Sequence, residues 1–546
     1  MKRQFSELSE EKFDLVVIGG GVIGTGVARD AALRGIKTLL LEKEDFGYGT
    51  SSRSTRLIHG GLRYLSHFDF KLVRQDLRER EILLKIAPHL VKPLPFLLPL
   101  TSLSQRSVMA AGMRLYDMLS YDKSVPSYQH FSRRQMTEIE PGMRMAGLKG
   151  AYRFYDCQIS FPERLCIENA LSASEHGAVL VNHAEVTGIA KTGNSVDKVQ
   201  IKDGLSRDKC EVQSRMVLNV GGHWADGVQG MAIPSPMNKV RTTMGIHLVT
   251  PKISNNAIVL FAKSDGRLIF VIPWEDYSLI GTTDTEYSGD KEFIAAEAEH
   301  VEYLLREAQH AFPGLKTGDI HYTYAGLRSL VGSVGQKVSN ISRSHKLVDH
   351  EVVDRVGAFL SILGGKITGH RSIAEEAVDL VCKKLIIDAS CKTAETSLPG
   401  APGVEAEELA KAAGESEVPI ETLGRLNSLY GTRTSQVMEM ASQDAHGKDQ
   451  ICPHSKDIIA QIWHAIKEES CMTVSDFMLR RGTVGLASCQ GLDAVEVVAV
   501  EMGRLLGWSI GEFQRQVGAY RDFVAAGTQF RKRSSKSAQE STRNNR

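Results

Sequence analysis

The pattern of apolar and polar positions predicts a strand, a turn and a helix at the start of the chain. Leu15, Val16, Val17 and Ile18 form a short apolar run that fits a buried parallel strand. Gly19, Gly21 and Gly24 follow in the spacing G-x-G-x-x-G, and Val27, Ala28, Ala31 and Ala32 then recur as the inner face of a helix. A second apolar run, Thr38 to Leu41, ends in Glu42. The segment Gly47 to His67 has neither period. Small hydroxylated residues alternate there with Arg53, Arg56 and Arg63, and an irregular segment of this length directly after such a strand points to function.

Further along, Lys71 to Pro88 reads as a helix. The next run, LVKPLPFLLPL, carries prolines at 93, 95 and 99 that forbid a continuous helix, and it continues into SLSQRSVMAAGMRLYDMLS. Two readings stay open for it: an interdomain core segment, favoured for its first half, or an interfacial segment resting on a membrane, kept for its second. From about Tyr152 to Tyr324 short alternating apolar runs with turns between them predict a mixed domain built on an antiparallel sheet. MVLNVGGHWAD, Met216 to Asp226, reads as a further strand of the first domain. Near Ala358 a strand, the pair Gly364-Gly365 and a helix from about Ser372 repeat the opening pattern and close that domain from far along the chain. TAETSLPGAPG, 393–403, has linker composition, and beyond it helical periodicity dominates to about Phe530, predicting a separate helical domain. The tail 531–546, with six basic residues and one acid, is expected to be disordered; it either solubilises the chain or meets anionic lipid.

Composition narrows the class. With 546 residues, 42% hydrophobic and 24% charged, the chain has material for two or three domains. Lysine plus arginine number 66 against 65 acidic residues, so no global field draws the protein to nucleic acid. The N-terminus lacks the apolar core of a secretory signal, and no run reaches the roughly 18–20 apolar residues of a membrane span. The eight cysteines show no CxxC, which argues against a metal site and for reduced thiols in the cytoplasm.

The opening segment has the chemistry of a dinucleotide site. Gly19 turns the backbone, Gly21 lets it approach a pyrophosphate, Gly24 lets helix pack on strand, and the helix N-terminus faces the phosphates. Glu42, eighteen residues past Gly24, falls where a carboxylate accepts from a ribose.

GGGVIGTGVARDAALRG, TSSRSTRLIHGGLRYL, PW…LIGTTDTEY, YAGLRSL and GGKIT together resemble the FAD-dependent, quinone-linked glycerol-3-phosphate dehydrogenases. The resemblance implies an α/β fold: a Rossmann-like FAD-binding domain of the D-amino-acid-oxidase type, a substrate domain with an antiparallel sheet inserted in it, and a C-terminal α-helical domain. The FAD-binding parts are expected at about 13–90, 150–230 and 350–390, and the substrate domain at about 91–149 and 231–349. The implied reaction is oxidation of sn-glycerol 3-phosphate to dihydroxyacetone phosphate, with electrons passed through FAD to a quinone at the cytoplasmic face of the membrane. Contact with the membrane is then peripheral, and a homodimer is left open.

Oxidising a secondary alcohol requires a base for the hydroxyl proton and cations for the phosphate and the reduced ring. The resemblance assigns His247, Arg328 and Lys366 to catalysis, and Arg63, Tyr64, Arg343 and Asp284 to the substrate. It assigns Ser51, Ser52, His59, Val186, Gly364, Gly365 and Thr368 to the cofactor with the glycines and Glu42. The chain departs from the family pattern at Ser329, Gly369 and His370, at SFPERL, and at NVGGHWAD. Dioxygen as the acceptor, another hydroxy acid or amine as the substrate, NAD in place of FAD, and a flavin scaffold or sensor without turnover are the competing readings.

Overall fold

The computed structural model describes residues 1–331 and 344–531. Its first sheet runs in the order Lys346–Asp349, Phe359–Leu363, Lys209–Asn219, Lys12–Ile18, Thr38–Leu41, Val179–Val181. The four central pairings are parallel, and Lys346–Asp349 joins antiparallel at one edge. The hairpin Ala184–Thr192 and Ser195–Asp203 extends Lys209–Asn219. Helices Val22–Leu33, Pro162–Glu175 and His370–Leu385 pack on this sheet, and Leu15, Val17, Ala28, Ile167, Leu218 and Val378 meet in its core. The central strands read as near-continuous apolar runs because both faces are covered.

The second sheet is mostly antiparallel and is centred on Arg241–Pro251, which pairs with Tyr277–Gly281 on one side and Tyr322–Leu330 on the other. Leu268–Trp274, Ala257–Phe261, Val91–Leu100, Gly150–Ile159 and Leu57–Ile58 continue it outward. Ala257–Phe261 meets Val91–Leu100 in a parallel pairing. The proline-rich run is thus a strand. Pro93, Pro95 and Pro99 alternate along it while Gly150–Ile159 pairs with it along its length. The following helix, Leu103–Leu119, leaves Leu103, Val108 and Met118 exposed.

Three observations bear on the expected domain bounds. The strands Leu57–Ile58 and Gly150–Ile159, assigned to the FAD-binding part, belong to the second sheet, because their hydrogen bonds run to each other and to Val91–Leu100. Residues 393–403 are packed rather than loose: Thr393 and Leu398 are buried, the Leu398 amide donates to Ile86 O, and the Gly400 amide to Glu168 Oε2. The helical C-terminal domain packs directly on the second sheet. Leu423, Leu426, Tyr430, Trp463, Phe477 and Tyr520 share one continuous core with Phe96, Trp274, Val249 and Tyr322 of the second sheet.

Buried charge ties the helical region to the first sheet as well. Asp45, just past the second strand, accepts from Arg480 Nε at 2.5 Å, from Arg481 Nη2 at 2.9 Å and from Asn182 Nδ2 at 2.9 Å. Arg164 forks onto Glu469 at 2.6 and 2.8 Å and holds that carboxyl far below the usual range against the opposing effect of burial. No helix of the described residues is long and apolar enough to cross a membrane. The expected tail lies outside the described residues beyond Arg531.

Candidate active site

A cavity of about 1130 Å³ runs between the two sheets. At one end it is walled by Gly19, Gly21, Gly24, Glu42 and Val186, and at the other by His247, Asp284, Arg328 and Lys366. Its volume exceeds the roughly 300–1,000 Å³ of ordinary ligand pockets, which suits an extended dinucleotide with a substrate beside it.

The glycine turn is closed so tightly that side chains are excluded. A Cβ on Gly24 would lie 1.8 Å from Gly19 O, and Gly19 itself sits at φ +113° against Val220 O. Glu42 is buried, and its Oε2 and Oε1 accept from the Gly20 and Glu44 amides at 2.6 and 2.9 Å. Burial raises its pKa, while those two amides pull the other way. Ser51 Oγ accepts from the Val22 amide at 3.0 Å, tying the irregular loop to the N-terminus of the first helix. Ser52, expected beside it at the cofactor, does not line the cavity. Its hydroxyl turns back to Tyr48 O and Gly49 O because the loop coils there into a short 3-10 turn.

Two distant loops meet on the cavity wall. The His59 amide donates to Thr368 Oγ1 at 3.1 Å, and Gly364 and Gly365, at φ +76° and +101°, carry the chain past them. Lys366 Nζ lies 2.5 Å from Asp76 Oδ2 and 4.1 Å from the centre of the Tyr64 ring. Asp76 is itself pushed up to about 6 because burial outweighs the nearby lysine.

The reacting end is built by register on the second sheet. His247 pairs across the sheet with Tyr324, and the two rings stack at 4.8 Å. On its other side His247 faces Gly281, where a Cβ would fall 2.4 Å from the imidazole. Arg328, four residues beyond Tyr324 and so on the same face, lies across Gly245, where a Cβ would sit 2.2 Å from Nη2. Its guanidinium donates to Thr282 Oγ1 at 2.8 Å, Thr283 O at 3.1 Å and Asp284 Oδ1 at 3.2 Å. Gly245 and Gly281 therefore leave the room that these two side chains fill. His247 Nε2 lies 3.0 Å from Thr55 Oγ1, while Nδ1 is buried with no protein partner. Burial, then Arg328 and Arg56, lower its pKa to about 3, so the ring is neutral at physiological pH.

The structure thus gathers His247, Arg328, Lys366, Tyr64, Asp284, His59, Thr368 and the glycines on one cavity. Arg343 lies outside the described residues, as does the side chain of Arg63. Of the departures, Ser329 lines the cavity, whereas His370 is buried behind the sheet against Gly26 and Asn169. His223, in NVGGHWAD, is a wall residue that sequence reasoning did not assign. Its Nε2 is buried without a protein partner, and burial, then the nearby cations, take its pKa to about 3. Arg267, at the end of the turn SDGR, and Thr55 were also missed. The glycine beside Arg267 was the available signal for the first, and the hydroxyl run around Thr55 for the second.

These walls fit a flavin dinucleotide. The glycine turn and helix N-terminus suit the pyrophosphate. His223 Nε2 and His247 Nδ1 offer unpartnered polar atoms on the wall, and the Gly364-Gly365 backbone leaves a surface without side chains.

Comparison with known proteins agrees. Residues 14–357 match the family described as FAD dependent oxidoreductase, and residues 391–512 match the C-terminal domain of alpha-glycerophosphate oxidase. A Synechocystis protein named glycerol-3-phosphate dehydrogenase is 38% identical over 96% of this chain and 98% of its own. A Mycobacterium bovis protein named glycerol-3-phosphate dehydrogenase 2 is 35% identical over 96% of this chain and 90% of its own. The crystal structure of the glycerol-3-phosphate dehydrogenase from Bacillus halodurans complexed with FAD superposes with a TM-score of 0.78 at 28% identity, covering 95% of this chain and 96% of that one. The cofactor of this protein is FAD, and the chain belongs to the glycerol-3-phosphate dehydrogenase family of FAD-dependent oxidoreductases.

Proposed function

We propose that this protein oxidises sn-glycerol 3-phosphate to dihydroxyacetone phosphate and passes the electrons to a quinone at the cytoplasmic face of a membrane. The observation that carries the reading is the convergence of a buried neutral imidazole, His247, with the guanidinium of Arg328 on the cavity that also holds the dinucleotide turn. Bound FAD supplies the hydride acceptor. His247, neutral and desolvated, is in the state that accepts the hydroxyl proton of the substrate. Arg328, held in place by Thr282, Thr283 and Asp284, supplies fixed positive charge where an alkoxide or a phosphate would sit. Lys366, paired with Asp76, faces the same cavity, and Arg267 adds a further basic side chain at its wall.

The exposed face of Leu103–Leu119 supports contact with a membrane surface. Leu103, Val108 and Met118 stand out there, with Arg106 and Arg114 among the helix's exposed residues. A second acceptor, dioxygen, is favoured by one observation, the match of residues 391–512 to an oxidase C-terminal domain.

Anaerobic addition of sn-glycerol 3-phosphate to the purified flavoprotein tests the substrate: the flavin absorption should bleach, and a flavin that stays oxidised refutes the reaction. Reoxidation with a soluble quinone analogue or with air then tests the acceptor. Rapid quinone turnover with little peroxide is expected. Stoichiometric peroxide would overturn the quinone assignment.

A further inference from the structure

We propose that Cys452, His454, Cys489 and Asp493 form a structural zinc site in the helical region, outside the lining of the flavin cavity. Sequence spacing argued against any metal because no CxxC occurs. The fold instead brings two loops together: Cys452 and His454 precede the helix Ile459–Glu468, and Cys489 and Asp493 precede the helix Val495–Leu506. One ligand atom from each of the four residues lies within 4.8 Å of all the others.

The geometry is that of a tetrahedron of the right size. Zinc bonds of about 2.3 Å to sulfur and about 2.0–2.1 Å to nitrogen or oxygen place tetrahedral ligands about 3.3–3.8 Å apart. Cys452 Sγ is 3.5 Å from Cys489 Sγ, 3.8 Å from His454 Nδ1, and 3.2 and 3.3 Å from the two oxygens of Asp493. His454 Nδ1 is 3.0 Å from Asp493 Oδ2. A web of ordinary hydrogen bonds explains this less well. Cys452 has one S–H proton, yet its sulfur faces a second thiol, a carboxylate and an imidazole at once.

The backbone supplies an independent observation. The His454 amide donates to Cys452 Sγ, and the Gly491 amide to Cys489 Sγ, both at 3.3 Å and both two residues downstream of the cysteine. Such donors favour the thiolate that metal binding requires, in the manner of the outer partners that orient metal ligands. By contrast, the other grouping of this kind, Asp45, His183 and Asp476, is already satisfied by Arg480 and Arg481.

Two thiolates with an imidazole and a carboxylate select zinc among the common divalent ions, and four protein ligands leave no open position for catalysis. Each thiol releases its proton on binding. The role is then mechanical. His454 and Pro453 border a cavity of about 360 Å³ shared with Trp274 and Tyr277 of the second sheet, and the Ser488 amide donates to Tyr277 Oη at 2.8 Å. The ion would pin both loops where the helical region meets that sheet.

The full-length flavoprotein, prepared without chelators and supplied with zinc, should retain one equivalent after exhaustive dialysis, measured by mass spectrometry of the elements. Replacing zinc with cobalt(II) should give tetrahedral d–d bands to the red of the flavin absorption, with a thiolate charge-transfer band. Cys452→Ser and Cys489→Ser should lose the equivalent while keeping their flavin, since none of the four residues lines the flavin cavity. If those variants do not fold, the cobalt spectrum of the unaltered protein decides. Absence of retained zinc, an octahedral cobalt spectrum, zinc retained in both variants, or a Cys452–Cys489 disulfide in the native protein would each overturn the proposal.

Discussion

Replacing His247 by asparagine separates the imidazole's chemistry from its packing. The ring is 2% exposed and its pKa is about 3 against the ordinary 6.5. That gap corresponds to about 5 kcal/mol in favour of the neutral form. Removal of the ring therefore takes no charge from the fold, and the structural loss falls on its stack on Tyr324, its contact with Thr55 and the space beside Gly281 that it fills. Flavin content should stay near that of the unaltered protein. The loss of a positioned proton acceptor should slow flavin reduction by about 10²–10⁴-fold, as stopped-flow absorbance under anaerobic conditions would show. The pH dependence carries the sharper test. With a pKa of about 3 the ring is neutral at and above about pH 5, so the reduction rate should show no acid limb from His247 there. Arg328→Gln removes a neighbouring cation, which favours the charged ring, so an acid limb should move up toward neutrality in that variant. Stability follows the same sign. Between the folded and unfolded pKa values the unfolded chain binds the extra proton, so the protein loses stability as pH falls below 6.5, and His247→Asn should lose less. An asparagine variant that reduces flavin within tenfold of the original rate, with the same pH profile, would refute the assignment of His247 as the proton acceptor.

Two further predictions concern buried charge. Lys366→Gln removes the partner of Asp76, whose pKa already stands near 6 because of burial. A carboxyl with a raised pKa destabilises the fold as pH climbs through its titration, so the variant should match the original protein in urea unfolding below about pH 5 and fall behind above it. Each further unit of upward shift costs about 1.4 kcal/mol at the alkaline end, and a pH-independent difference would contradict the reading. Asp45→Asn leaves Arg480 and Arg481 buried without their shared carboxylate and should cost about 3–5 kcal/mol in thermal or urea unfolding. Because the helical region shares its core with the second sheet, flavin release and loss of helical signal should remain one transition, and two separated transitions would show that the core is not continuous.

Much of the first sheet was legible in the sequence because its signals are local. An apolar strand, a glycine turn and a helix face lie within a few residues of each other around Gly19 to Ala32, and the same triad returns near Gly364. The residue types of the site could also be named, since each of the quoted motifs carries its own cation, histidine or glycine. What the sequence could not supply was distance. That His247 and Arg328 share a face follows from the pairing of Arg241–Pro251 with Tyr322–Leu330, strands separated by some seventy residues of chain. That Ser52 turns away while Ser51 reaches the helix depends on one turn of 3-10 backbone.

The same reason accounts for the sheet that Gly150–Ile159 joins and for the cysteines. Gly150–Ile159 reads as a strand from its pattern, yet only its hydrogen bonds to Val91–Leu100 decide which sheet it joins. The helical periodicity past residue 404 is a local property, but whether those helices stand alone or bury their faces against Trp274 and Tyr322 is fixed by packing between segments far apart. Cys452 and Cys489 look unrelated along the chain and lie 3.5 Å apart in the fold. Periodicity and turn chemistry act over a few residues and are written in the sequence itself; proximity between distant side chains is set by the free energy of the whole packed chain, and only the tertiary structure displays it.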